Sequence, residues 1–332
     1  MTRRSTSFKL SALAAMLIAG GGVAQAADKL TVQLDWLPGG DKSFVYAGLQ
    51  QGFFKEEGLD VRIVPGRGSA DAVTKVASGS ADVGFGGISA LMMAAAEGKI
   101  PVKAVMSLYS KQPDALFTRA DSKIKSLKDM EGKTVAMPTF SSSNALWPIV
   151  LQKNGVDASK IKVIKSDPAT LAPMLAQGRV DATINWVTVA PAFGAVLKQA
   201  NKDLSVLPWT QFGLDGYGWS AMASDKTIKE RPEVLKRYVR ALTRSLEFSM
   251  QSPQKAAESL KAQVPEAEVA VIKAEFEASI PLLRNEISQR DGLGKFEPKL
   301  LASTWNWVAQ SMSYDLKKLD PETLVDRSFL SK

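Results

Sequence analysis

The chain of 332 residues contains no cysteine and no histidine. These absences exclude disulfides, thiolate nucleophiles, Cys/His zinc sites and any triad or general base built on imidazole. An uninterrupted run of about 18 apolar residues is also missing, so no embedded transmembrane helix is expected. Neither a phosphate loop nor a G-x-S-x-G elbow occurs. What remains is carboxylate, lysine, tyrosine or serine chemistry without imidazole, or binding without catalysis. The rest of the composition is ordinary, 45% hydrophobic and 23% charged. The length suits two domains of about 150 residues each.

Residues 1–26 read as a cleaved export signal. Arg3, Arg4 and Lys9 precede a short apolar stretch from Leu10 to Ala19, and Ala24-Gln25-Ala26 supplies the small residues of a cleavage site. Loss of this segment removes three basic residues and no acidic ones, which lowers the net charge from +8 to +5. With no cysteine to carry a lipid, the mature protein is expected to be soluble in a periplasm. The densest basic stretch, Lys226 to Arg244, carries Leu235, Val239, Leu242 and Leu246 at helical spacing. Its arginines then fall on a solvated helix face, and no nucleic-acid partner is expected.

From Lys29 to about Leu207, short β-like runs alternate with helical ones, the signature of parallel α/β architecture. Strands are expected at Leu30–Leu34, Leu59–Val64, Val83–Phe85 and Val102–Leu108, then at Thr134–Met137, Val163–Lys165, Ala182–Asn185 and Leu204–Leu207. The two series share a phrase: a helix, then Gly79-Ser80-Ala81-Asp82 in one and Gly178-Arg179-Val180-Asp181 in the other. After Ile228 the pattern is helical. Short crossings near Lys111–Asp114 and Gly213–Gly218 divide the chain into a first lobe (27–115 and 217–332, with the C-terminal helices) and a second (116–216). Each is expected to be a mixed or parallel sheet flanked by helices, with a hinge and a cleft between them.

Ligands of open α/β sheets bind beyond the carboxyl ends of the strands. The residues expected there include Asp35, Trp36, Arg67, Gly87 and Ser89 in the first lobe. In the second they are Phe140, Ser141, Ser142, Ser143, Asn144, Asn185 and Trp186, with Tyr217 at the hinge. Trp36, Phe140 and Trp186 each follow a strand and precede small or polar residues, so they are expected to sandwich a planar solute. Asp35, the serines, Asn144 and Asn185 would bind its polar edge. Arg67 and the helix starts would accept an acidic group. The alternatives are a sulfonate or carboxylate receptor that relies on the serines and Arg67, a sensing partner of a membrane protein, and an exported enzyme that uses Asp35 with Tyr217 or Asp215. No metal or cofactor is expected.

Six phrases carry a resemblance: Leu34-Asp35-Trp36-Leu37-Pro38, Tyr46-Ala47-Gly48, Gly52-Phe53-Phe54-Lys55-Glu56-Glu57-Gly58-Leu59-Asp60-Val61, Gly79-Ser80-Ala81-Asp82-Val83-Gly84, Leu127-Lys128-Asp129-Met130-Glu131-Gly132-Lys133-Thr134-Val135, and Gln177-Gly178-Arg179-Val180-Asp181-Ala182. In order along the chain, they resemble the NMT1/THI5-like proteins of the nitrate/sulfonate/taurine group of ABC-transporter substrate-binding proteins. The resemblance implies a two-lobed, type II-like periplasmic binding protein fold. It also implies a monomer that hands a small molecule to a membrane permease and is not an enzyme. In the pyrimidine binders of that family an Asp-Trp lies at the ligand, which corresponds to Asp35 and Trp36. The acidic residue those proteins often carry just after the position of Trp186 is replaced by Val187-Thr188-Val189-Ala190. The family's fungal pyrimidine synthases depend on histidine, which this chain lacks.

Overall fold

A computed structural model describes residues 26–330; the export signal expected over 1–26 lies almost entirely outside them. Ten strands form two five-stranded sheets. The strands are β1 (Asp28–Gln33), β2 (Leu59–Val64), β3 (Val83–Gly87), β4 (Val102–Ser107), β5 (Asp114–Arg119), β6 (Thr134–Pro138), β7 (Lys162–Ser166), β8 (Ala182–Trp186), β9 (Leu204–Pro208) and β10 (Trp219–Ser224). The sheet orders are β2-β1-β3-β10-β4 and β7-β6-β8-β5-β9. In each sheet the first three strands are parallel. The fourth runs antiparallel to both its neighbours. That fourth strand is the one that arrives from the other lobe, so the protein is an α/β molecule of two similarly built lobes.

The phrase shared by the two series does the same work in both. Gly79 and Gly178 end their helices at φ +76° and +70°, a region in which a side chain is strained. Three residues on, the Asp82 carboxylate accepts the Thr31 N–H at 2.8 Å while its own N–H donates to the Thr31 carbonyl. Asp181 repeats both bonds with Thr134, also at 2.8 Å for the side chain. Each aspartate thus pins its helix-to-strand turn to the neighbouring strand, β1 in one sheet and β6 in the other.

The chain passes between lobes at 108–113 and again at 209–218. The two crossings run side by side: Gly218 N–H donates to the Tyr109 carbonyl at 2.9 Å, and Tyr109 N–H to the Trp219 carbonyl at 3.0 Å. The C-terminal helices Pro232–Gln251 and Pro253–Lys261 cover the first lobe's helix Ser43–Gln50. The helix Pro298–Met312 packs on both Ile88–Glu97 of the first lobe and Trp147–Lys153 of the second, with Leu301, Trp305 and Val308 buried. It therefore spans both lobes instead of serving the first alone. The arginines expected on a solvated face of Pro232–Gln251 are ion-paired there, Arg237 with Asp28, Arg240 with Glu57 and Arg244 with Glu56, and Arg240 and Arg244 stay exposed. They reach from the helix to the start of β1 and to the turn before β2. Among the described residues no helix is long and apolar enough to cross a membrane.

Candidate functional site

The loops after β1, β2, β6 and β8 converge on one cleft between the lobes, with about 30 Å³ of free space inside. Asp35, Trp36, Asp41, Lys42, Gly68 and Ser69 line it from the first lobe. Pro138, Ser141, Ser142, Ile184, Asn185, Trp186 and Val189 line it from the second. The lobes touch around it. Ala70 N–H donates to the Phe140 carbonyl at 3.0 Å, and the Ser89 hydroxyl to the Ser142 carbonyl at 3.4 Å. This is a closed arrangement.

An aromatic cluster is packed behind the cleft. Trp219 is fully buried, with Phe85 at 5.1 Å, Tyr109 at 5.2 Å and Phe44 at 5.8 Å between ring centroids. Trp186 reaches from the second lobe onto this group, 5.8 Å from Tyr109 and 6.3 Å from Trp219. Trp36 stands on the loop after β1, partly buried against the second lobe's apolar residues.

The polar residues of the first wall are buried and strongly coupled. Lys42 Nζ lies 2.8 Å from Asp41 Oδ2, 3.8 Å from Asp35 Oδ1 and 5.1 Å from the Trp219 ring centroid. Burial pushes the Lys42 ammonium towards neutrality, but Asp41 and Asp35 outweigh it and hold its pKa above the ordinary lysine value. Burial pushes the Asp35 carboxyl up to about 6, with Lys42 opposing the rise. Glu275, on the helix Val269–Leu283, accepts the Gly40 N–H at 2.6 Å; burial and then Asp41 push it up to about 8. Asp35 Oδ1, Asp41 Oδ1 and Asn185 Oδ1 are buried with no hydrogen-bond partner.

The residues expected from the sequence divide into two groups. Asp35, Trp36, Ser141, Ser142, Asn185 and Trp186 line the cleft. Gly87 and Ser89 meet Ser142 across it. The others turn elsewhere. Phe140, expected as a third wall, is 38% exposed; its carbonyl meets the first lobe while its ring carries the Arg67 guanidinium at 5.3 Å on the outside. Arg67 is 61% exposed and bonded to Asp71 at 3.2 Å. Ser143 is buried and donates to Asp114. Asn144 closes its own loop onto the carbonyls of Pro138 and Thr139 at 3.1 and 2.9 Å. The Tyr217 hydroxyl accepts the Glu297 N–H at 2.6 Å in the first lobe, and Asp215 accepts from Trp307 Nε1 at 2.7 Å. Neither lines the cleft that holds Asp35.

Asp41 ends the strand-end segment 35–41 expected at the cleft, but Lys42 was missed, and with it the buried pair, because an adjacent Asp-Lys reads as solvated charge. The one signal was their position, directly after Gly39-Gly40 in a strand-end loop. Asp114 was also missed. It opens β5 opposite Trp186, and burial pushes its carboxyl up to about 7 against the lowering effect of donors from Ser143 and Trp186.

Residues 41–256 match the model of the family described as NMT1/THI5 like. The chain belongs to the NMT1/THI5-like family. Among its relatives is the formylaminopyrimidine-binding protein of Halalkalibacterium halodurans, 25% identical over 269 residues, which are 81% of this chain and 80% of the relative. The riboflavin-binding protein RibY of Chloroflexus aurantiacus is 24% identical over 285 residues, 83% and 79% of the two chains. Of solved structures, the alkanesulfonate-binding protein SsuA of Xanthomonas axonopodis pv. citri, bound to MOPS, superposes with a TM-score of 0.70 at 17% identity. It covers 91% of this chain and all of its own. The aliphatic sulphonate-binding SsuA of Escherichia coli gives 0.64 at 18%, covering 92% and 94%. These likenesses establish the two-lobed binding-protein fold for this family member.

Proposed function

We propose that this NMT1/THI5-like protein is the solute-binding component of an ABC importer, and that its solute is a small planar heteroaromatic molecule with N–H donors on its edge. The observation that carries the reading is the cleft itself. Two tryptophans from opposite lobes line it, and three of its lining residues, Asp35, Asp41 and Asn185, each bury an acceptor oxygen with no hydrogen-bond partner. A buried acceptor without a donor is costly, so the favoured guest is one that brings N–H groups. Stacking on an indole adds roughly 0.5–1.5 kcal/mol beyond burial. In this closed arrangement the cleft holds about 30 Å³ of free space, room for little more than water, so a ring-sized guest enters only as the lobes part.

The sulfonate reading lacks its cation. Lys42 is already shared by two carboxylates, and Arg67 faces solvent with Asp71. An anion in this cleft would stand beside Asp35 and Asp41 with no free counter-charge. The relatives named for a formylaminopyrimidine and for riboflavin agree with a heteroaromatic guest. Capture proceeds by lobe closure: a solute that touches both walls makes the closed state the lower in free energy, and the permease receives it outside the cytoplasm.

The test is native mass spectrometry of freshly purified protein, followed by thermal-shift measurements. The panel would contain 4-amino-5-hydroxymethyl-2-methylpyrimidine, riboflavin, taurine and MOPS. Stabilisation by an aminopyrimidine or another N–H-bearing ring supports the reading. Stabilisation by taurine or MOPS alone overturns it in favour of an anion receptor.

A further inference from the structure

Asp41 is attached to both lobes. Its Oδ2 accepts from Lys42 Nζ at 2.8 Å within the first lobe and from the Thr188 hydroxyl of the second lobe at 3.1 Å. Asp41, Lys42 and Thr188 are all at most 1% exposed. The acceptor is held rigidly: the turn Gly40–Lys42 is tied to Glu275 through the Gly40 N–H, and the helix carrying Glu275 also packs on the second lobe's turn Val187–Val189 and helix Ala190–Gln199. The donor sits two residues beyond Trp186, on the turn that follows β8. A movement that brings Trp186 to the cleft therefore brings Thr188 to Asp41.

We propose that Asp41 and Thr188 form a closure latch, a bond between the lobes that needs no solute atom and raises the closed population by itself. The inference rests on the lobe-closure reading but not on the identity of the solute. A hydrogen bond to an ionised acceptor is stronger than one between neutral groups, and this one is shielded from water only while the lobes are together. Lys42 stays with Asp41 when the lobes part, so opening does not strand a buried carboxylate. The other oxygen, Oδ1, is unpaired on a residue that lines the cleft. One carboxylate thus serves the latch and faces the guest.

The experiment uses protein stripped of solute by unfolding and refolding. Cysteines introduced at exposed Lys55 and Lys162, one per lobe, take spin labels at those sites alone, because the chain has no cysteine of its own. Electron–electron double resonance then gives the ratio of closed to open molecules. Thr188→Val, which keeps the shape and removes the donor, should lower that ratio about tenfold, equivalent to ~1.4 kcal/mol. Thr188→Ser should restore it. Asp41→Asn, a weaker acceptor of similar size, should shift the ratio the same way and stands in if Thr188→Val fails to fold. A ratio unchanged in Thr188→Val, or a wild-type protein wholly open without solute, overturns the latch. Either outcome leaves the reading of the solute intact, since that is decided by the ligand panel.

Discussion

Gly87 and Ser142 meet across the cleft with no room for another carbon: a Cβ built on Gly87 would lie 2.5 Å from the Ser142 Cβ and Oγ. The Gly87 backbone, at φ −63° and ψ 129°, is one that alanine adopts freely. Gly87→Ala should therefore fold normally and resist closing. Overpacking of this kind costs about 1–3 kcal/mol, or roughly 5- to 150-fold in affinity. Isothermal titration with the bound solute should show that loss with an unchanged unfolding midpoint for the free protein. Adding Ser142→Gly should recover the affinity; a double variant as weak as the single one would show that the contact does not limit closure.

Trp36 and Phe140 were expected to play the same role and should behave differently. Solute at 100 times its dissociation constant adds about 2.7 kcal/mol of stability. Trp36→Ala should lose most of that gain, because the indole lines the cleft. Phe140→Ala should keep it, because that ring lies outside under Arg67. Equal losses in thermal-shift measurements would put Phe140 back among the walls.

Eight of the ten strands were legible as alternating or β-branched runs such as Leu59–Val64 and Val102–Ser107. The two missed, Asp114–Arg119 and Trp219–Ser224, are the strands that enter each sheet from the opposite lobe. Trp219–Ser224 has no β-branched residue, and its small side chains mark no period. Its extended form comes from pairing with β3 and β4 on both sides. At the site, Asp35, Trp36, Asn185 and Trp186 could be read because position at a strand end is local information. Whether Arg67 or Lys42 enters the cleft is decided by how each loop packs in the folded chain. Asp71 holds Arg67 outside; Asp41 and Asp35 compensate the burial of Lys42. Nothing in the residues themselves distinguishes the two cations.

The helix Pro232–Gln251 allows a contrast between charge and packing. Arg240 binds Glu57 through two nitrogens, at 2.8 and 2.6 Å, but its side chain is 54% exposed. Solvent screens such a pair, so Arg240→Ala should cost less than about 1 kcal/mol and less still at high salt. Leu242, fully buried two positions on, should cost about 2–5 kcal/mol when cut to alanine. Urea unfolding of both variants checks the order; a larger loss for Arg240→Ala would mean the ion pairs clamp this helix more strongly than its apolar face does.

Asp114 and Glu275 should make stability fall as pH rises. Burial lifts their carboxyls to about 7 and about 8, above the values near 4 of an unfolded chain. A raised acid favours the folded state most when both states are protonated, below about pH 4. That contribution declines as pH climbs through the folded values, because only the unfolded chain ionises freely. Asp35, lifted to about 6, acts in the same direction. Asp114→Asn still accepts from Ser143, and Glu275→Gln still accepts from Gly40. Each amide should therefore flatten the decline between pH 4 and 8 and stabilise the protein at pH 8, by an amount on the order of a few kcal/mol at most. Denaturant unfolding at pH 5 and pH 8 measures this directly. Variants that are less stable than wild type at pH 8 would mean that the ionised carboxylates are better satisfied in the closed protein than their burial implies.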